Sequence, residues 1–356
     1  MPQAPEPYVA LALQPAFRNV KHRDEILDNI KSVSQLIDFA MWLSETELPV
    51  RLIAIPEGVL QGFPDEIFDM SHRDYLQTLA IEIPGRETEE LAKKARQHGV
   101  YVICQARGTD QRLPGYYFNW AFIIDPDGNL IHKAAKHQVY YKEPSTTPHD
   151  IYDKWVEVFG DTLAAFFPVT ETPIGRIGTL ICYEGSFPET ARALAVNGAE
   201  ILYRCSYAEP WVGRGVWELQ NRARALDNTC YVIAPNLGPC QISPDELAPL
   251  DVSGGQSMVI DYKGTILGRH EPSAHSWTGG VIDIGALRDF RKRAGIGGWL
   301  KELKTEIYQL IYQEPIYPKN FYLESPEKKH ADRQRQHRQS GADLVRRGIW
   351  SKCNGT

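Results

Sequence analysis

Two turn-forming segments, each set between apolar runs, constrain this chain more than any other feature. Trp120-Ala-Phe-Ile-Ile124 runs into Asp125-Pro-Asp-Gly128 and leaves through Leu130-Ile-His-Lys133, and Ser257-Met-Val-Ile-Asp-Tyr-Lys263-Gly264-Thr-Ile-Leu267 repeats the plan. Asp, Pro and Gly between extended runs close tight turns, so both segments read as antiparallel hairpins. Elsewhere strands alternate with helices. Tyr8-Val-Ala-Leu-Ala-Leu13, Arg51-Leu-Ile-Ala-Ile55 and Val100-Tyr-Val-Ile-Cys104 read as strands, and Arg23 to Leu43 and Glu87 to His98 carry helical spacing, the second stopped at Gly99. An all-parallel sheet has no place for hairpins, so the fold class is α/β with two sheets forming a sandwich.

The chain has 356 residues, enough for one large domain or two. With 43% hydrophobic and 24% charged residues it matches an ordinary globular protein, and a net charge of -6 offers no basic surface for nucleic acid. No run approaches the roughly 18 to 20 apolar residues of a membrane span, and Met1-Pro-Gln-Ala-Pro-Glu6 lacks the form of a signal peptide. The expected location is cytoplasmic. Six cysteines (Cys104, Cys182, Cys205, Cys230, Cys240, Cys353) stand singly, without CxxC pairs or zinc-finger histidines, so neither a disulfide framework nor a metal is expected. Cys104, Cys205 and Cys230 lie in apolar runs and read as small core hydrophobes.

Two regions depart from the rhythm. Tyr140 to Phe159 is polar and aromatic and longer than an ordinary loop, hence functional or mobile. From about Arg288 the chain predicts one amphipathic helix over Trp299 to Ile311, a Pro-rich extended piece, and then a charge-crowded stretch over Pro326 to Gln339 that buries little by itself. A solvated tail is one reading. An arm lying on a partner subunit is favoured, because Trp299, Leu303, Ile307, Tyr308 and Ile311 form an apolar face that needs cover. The expected division is a main domain over residues 1-285 and a C-terminal extension over 286-356.

Chemistry concentrates in Gly178-Thr-Leu-Ile-Cys182-Tyr-Glu-Gly-Ser186-Phe-Pro-Glu189. An apolar strand ends at a cysteine, a glycine permits a turn, and Ser-x-x-Glu with an early proline predicts a helix start with a capping box. A thiol near the positive end of a helix is favoured as thiolate, and free backbone N–H groups there hold an oxyanion. Such a nucleophile needs a base and a cation. Glu57 directly follows a strand in Ile53-Ala-Ile-Pro-Glu57, and Lys136 follows the first hairpin; alone, each reads as a solvated surface charge.

These three strand ends resemble the Glu-Lys-Cys motifs of the nitrilase superfamily of carbon-nitrogen hydrolases. The resemblance rests on Pro56-Glu57, on Gly128-Asn-Leu-Ile-His-Lys-Ala-Ala-Lys136 and on Cys182 to Glu189, and extends to Asn197-Gly-Ala-Glu200, Arg222 to Asn236 and Gly254 to Asp261, in order over roughly residues 7 to 285. It implies an α-β-β-α sandwich of the nitrilase type, here with a C-terminal extension, and homo-oligomers, dimeric or higher. It further implies catalytic Glu57, Lys136 and Cys182, the backbone N–H of Tyr183 as oxyanion donor, and a second glutamate after the lysine, for which Glu143 is the candidate and Glu184 the rival.

The substrate branch is read from less. Cys182-Tyr183-Glu184 departs from the Cys-Trp-Glu of nitrilases proper, and Ala199 to Ser206 looks like the matching segment of aliphatic amidases and formamidases. The expected reaction is hydrolysis of a small-molecule amide to acid and ammonia through a cysteine thioester, with no cofactor. A nitrilase, an N-carbamoyl amidohydrolase and a non-catalytic binding module are the alternatives; a papain-like arrangement lacks a recognisable histidine context. Candidate substrate-binding residues are Tyr140, Glu184, Arg204 and Tyr207, with Arg214 as a second basic candidate and Tyr116, Tyr117, Trp120, Tyr141 and Trp211 as further pocket aromatics, a kind of residue that more often serves as core or interface.

Overall fold

A computed structural model describes residues 4–207, 214–243, 250–251, 253–272 and 274–352. Two six-stranded sheets face each other. The first has the order Ser276–Ile282, Tyr8–Gln14, Val50–Ala54, Tyr101–Thr109, Tyr117–Ile124, Leu130–Ala135. The second runs Ile266–Arg269, Met258–Ile260, Tyr231–Ala234, Ile201–Cys205, Gly175–Ile181, Val169–Thr172. Each has a parallel centre flanked by antiparallel strands, which is where the hairpins fall.

The two-residue period of the strands sorts side chains between two cores. Along the first strand Tyr8, Ala10 and Ala12 enter the layer between the sheets, while Leu11 and Leu13 face the outer helices. Both faces are buried, so these strands read as continuous apolar runs. Helices Ile26–Ser44 and Arg86–His98 cover the first sheet through Ile30, Val33, Ile37, Leu91 and Ala95. Helices Pro188–Val196 and Val216–Asn228 cover the second through Ala191, Leu194, Trp217 and Ala225. The result is the expected α-β-β-α sandwich. The predicted turns form with the expected chemistry: Asp125 Oδ1 accepts from the N–H groups of Asp127 and Asn129, and Gly99 ends its helix at φ 65°.

The C-terminal region differs from expectation. In place of one helix over Trp299 to Ile311 there are three short pieces, Trp299–Glu302, Thr305–Tyr308 and Gln309–Tyr312, interrupted where Leu303 turns extended. A helix this short gains little without tertiary cover, and Ile307, Leu310 and Ile311 are exposed. The charge-crowded stretch is instead a helix, His330–Arg346, docked on its own chain: Arg333 is buried against Asp150, and Tyr322 is fully buried. The boundary expected at 285/286 falls inside the helix Ile284–Arg293, which packs Leu287 into the core and pairs Arg288 with Glu200. The segment from Tyr140 is likewise ordered, closing into the helix Tyr152–Phe159. No helix of the described residues is long and apolar enough to cross a membrane.

Candidate functional site

The strand Val50–Ala54 delivers Glu57 to the edge of the first sheet through a turn in which Gly58 takes φ 80°. A side chain at Gly58 would collide with the Phe63 ring at 2.1 Å, so glycine answers both to the backbone and to the close approach. The Gly58 N–H donates to Gln105 Oε1 at 2.8 Å. Lys136 follows the last strand of the same sheet. Cys182 ends Gly175–Ile181 of the second sheet. The sheets are tied beside the site by Tyr203, whose hydroxyl donates to the carbonyl of Ile55 at 2.5 Å.

Glu57, Lys136 and Glu143 are all buried and in contact. The Lys136 ammonium donates to Glu57 Oε1 at 3.0 Å and to Glu143 Oε2 at 2.6 Å. Asn119 Nδ2 donates to both carboxylates, at 2.8 Å to Glu57 and 2.9 Å to Glu143, while its Oδ1 accepts from Gln105 Nε2 at 2.5 Å. Ser145 Oγ adds a bond to Glu143 at 2.7 Å. Burial alone would discharge Lys136, but Glu143 and Glu57 outweigh it and hold the ammonium well above its usual range, with Cys182 close enough to contribute. Burial likewise opposes the charge on Glu143, yet Lys136 and Arg107 draw it down to about 2.

Cys182 is part-buried, with Sγ 3.9 Å from the carbonyl of Tyr207. Its φ of 50° places a non-glycine residue in the left-handed region, a strained turn of the kind that exposes a nucleophile. The expected capping box at Ser186 and Glu189 does not form. A 3₁₀ turn over Cys182–Ser186 intervenes before the helix begins at Pro188, and Ser186 instead accepts from Gln220. Glu184 caps this turn, accepting from the N–H of Ile181 at 2.6 Å through one oxygen and from that of His137 at 2.7 Å through the other.

The remaining sequence candidates separate on this geometry. Glu143 joins Lys136, and Glu184 does not: it is buried with both oxygens engaged, and it holds the Cys182 turn. Arg204 is also withdrawn. It lies behind the turn, donating to Asn221, Gln220 and the carbonyl of Cys182 and stacking on Trp217 at 4.6 Å. Tyr207 stacks on Phe63 with ring centres 3.5 Å apart and brings its carbonyl to Cys182, while Tyr140 lies beside buried Glu66; both are half-buried. Tyr116, Tyr117 and Trp120 are core residues, Tyr141 packs edge-on to Tyr140, Arg214 is exposed, and Trp211 lies outside the described residues.

Sequence reasoning missed Asn119, Gln105 and Ser145. A lone Asn inside the apolar strand Tyr117–Ile124 was the available signal, since a buried amide requires partners. It also missed a buried cluster in which Arg107 pairs with Asp65 at 2.8 Å and with Glu66, whose carboxyl burial drives well up.

The chain resembles known proteins in sequence and in fold. A family model described as carbon-nitrogen hydrolase matches residues 18–291. Deaminated glutathione amidase of Homo sapiens is 32% identical over 241 residues, covering 66% of this chain and 70% of that protein. Omega-amidase NIT2 of Mus musculus is 28% identical over 246 residues, covering 68% and 81%. Among solved structures, Saccharomyces cerevisiae Nit3, a member of branch 10 of the nitrilase superfamily, aligns with TM-score 0.64 at 20% identity over 83% of this chain and 98% of its own. An amidase from Nesterenkonia sp. aligns with TM-score 0.60 at 18% identity over 85% and 96%. At such identities the structural likeness is one of fold.

Proposed function

The chain belongs to the carbon-nitrogen hydrolase family, within the nitrilase superfamily, and from that premise we propose that it is an amidase converting a small amide to acid and ammonia. The observation that carries the reading is a charged Lys136 clamped between Glu57 and Glu143 and felt by the Cys182 thiol. Its amidase-named relatives support the branch.

In the proposed cycle Glu57 removes the Cys182 proton as sulfur attacks the amide carbonyl. Two of the three ammonium N–H bonds of Lys136 are taken by carboxylates, leaving the third for the tetrahedral oxyanion together with the N–H of Tyr183. Collapse breaks the C–N bond, Glu57 returns its proton to departing ammonia, and a thioester remains on Cys182. Water, deprotonated by Glu57, then attacks the thioester; the acid leaves and the thiol regains the proton. Glu143 fixes the ammonium, and Tyr140 and Tyr207 flank the acyl side. No step calls for a cofactor or a metal.

The test is ammonia release across amides, nitriles and N-carbamoyl compounds. Turnover of amides is expected, and turnover confined to nitriles or carbamoyl compounds would reassign the branch. The proposal includes a cytoplasmic homo-oligomer with the extension over 286–356 as the arm, supported by free cysteines and by the exposed Ile307, Leu310 and Ile311. Gel filtration of the full chain against the full-length Ile307→Asp/Leu310→Asp/Ile311→Asp variant tests that part: a smaller species is expected, and an unchanged elution volume counts against the arm.

A further inference from the structure

We infer that Arg333, contributed by the C-terminal extension, is a positioning residue for this site, holding the 143–150 segment so that Ser145 keeps Glu143 on Lys136. The inference rests on the functional reading of Lys136 and Glu143 given above.

The helix His330–Arg346 is charged and buries only Arg333, Ser340 and Leu344, and the Arg333 side chain is only 4% exposed. A guanidinium leaves water at a high cost unless its donors are met, so this burial marks a specific contact. Its Nη2 donates to Asp150 Oδ2 at 2.8 Å and to the carbonyl of Ser145 at 3.2 Å. The rings of Tyr322 and Phe321 lie 4.8 and 5.5 Å from its central carbon. Backbone bonds reinforce the grip, from Tyr322 N–H to the Asp150 carbonyl at 2.8 Å and from Asn320 N–H to that of His149 at 2.9 Å.

On its other side the gripped segment meets the site. Ser145 gives its carbonyl to Arg333 and its hydroxyl to Glu143, and Glu143 in turn binds Lys136. One residue therefore lies between the extension and the carboxylate that fixes the ammonium. Arg333 stands beyond residues 18–291, the range matched by the family model, so this support comes from the part of the chain that sequence comparison leaves outside the hydrolase domain.

The experiment measures amide hydrolysis by full-length Arg333→Met, Arg333→Lys, Ser145→Ala and the Arg333→Met/Ser145→Ala double variant, with active sites counted by alkylation of Cys182 with iodoacetamide. We expect Arg333→Met to lower kcat per titrated site at least about tenfold with KM within about threefold, and Arg333→Lys to fall between it and the wild type. The double variant should be within about twofold of the worse single variant, because both changes act on Glu143. Wild-type kcat per titrated site in both arginine variants, or effects that multiply in the double variant, overturns the inference. If Arg333→Met does not fold, Arg333→Lys decides, since it keeps a cation for Asp150 and loses the forked donor. Cys182→Ala run alongside separates the two claims: full turnover there overturns the functional reading itself, whereas a dead Cys182→Ala with unimpaired arginine variants overturns this inference alone.

Discussion

Lys136 and Glu143 meet at 2.6 Å with both side chains essentially inaccessible to water, although the chain between them leaves one sheet and turns through an aromatic loop. Two further groups, Glu57 and Asn119, close around the same ammonium and carboxylates, so the charges are balanced by hydrogen bonds as well as by each other. Loss of Lys136 from such a cluster leaves two buried carboxylates without the cation they share.

Cys182→Ala should abolish ammonia release from amides while leaving the thermal unfolding midpoint within a few degrees of the wild type. The thiol is part-buried, with the Tyr207 carbonyl 3.9 Å from its sulfur, and its loss takes one small side chain from a turn that Glu184 holds through two backbone N–H groups. Retained turnover would refute its role as nucleophile.

Lys136→Met should lower kcat by about 10² to 10³, the usual effect of losing one oxyanion donor. It should also destabilise the fold by about 3 to 5 kcal/mol, because Glu57 and Glu143 are left facing each other without a cation. Urea unfolding together with steady-state kinetics reads both, and a variant as stable as the wild type would mean that the carboxylates do not depend on the lysine.

The clamp also predicts acid lability. The folded Glu143 carboxyl sits at about 2 against 4.5 for the free group, so the stability it confers is complete above about pH 4.5 and is lost as pH falls toward 2. A shift of that size is on the order of 3 kcal/mol. Glu143→Gln should flatten the fall of the urea midpoint between pH 4.5 and 2, and parallel curves would contradict it.

His132, buried between the hydroxyls of Thr170 and Thr179, predicts a second window at higher pH. Burial lowers its pKa from 6.5 to about 4, so between those values the unfolded chain binds the proton and the folded one does not. Stability should therefore decline as pH falls from 6.5 to 4, by a few kcal/mol at most. His132→Gln should make the decline shallower without abolishing it, because burial also lowers His72 to about 4, as followed by thermal unfolding across the range; an unchanged slope would contradict the role of His132.

Gly185→Ala tests the support behind the nucleophile. A methyl group there would lie 1.8 Å from Arg204 Nε, so the guanidinium must leave the Cys182 carbonyl. We expect a loss of about 1 to 3 kcal/mol, as for other overpacked sites, together with a reduced kcat. Unchanged kinetics would show that the turn holds without Arg204.

Much of this was legible locally. The hairpin at Asp125 to Gly128, the helix stop at Gly99 and the strand ends bearing Glu57, Lys136 and Cys182 follow from turn chemistry and apolar period, which act over a few residues. The helix start after Cys182 was misjudged for a related reason: Ser186 and Glu189 have the spacing of a capping box, but a 3₁₀ turn capped by Glu184 occupies the place. The docking of His330–Arg346 is not legible locally because composition says how much a segment can bury, not where a single arginine finds its partner.

The sequence by itself therefore determined the α/β class, the hairpins and the three chemistry-bearing strand ends, because propensity and periodicity are properties of short stretches. Only the tertiary structure decided that Glu143 and not Glu184 joins the lysine, that Arg204 supports the Cys182 turn from behind, that Asn119 bonds to both carboxylates, and that Arg333 reaches Ser145. Those contacts link residues 62 positions apart for Asn119 and Glu57 and 188 apart for Arg333 and Ser145. A buried charge is stable only where distant strands and loops bring its partners within hydrogen-bond reach, and that juxtaposition exists only once both sheets have packed.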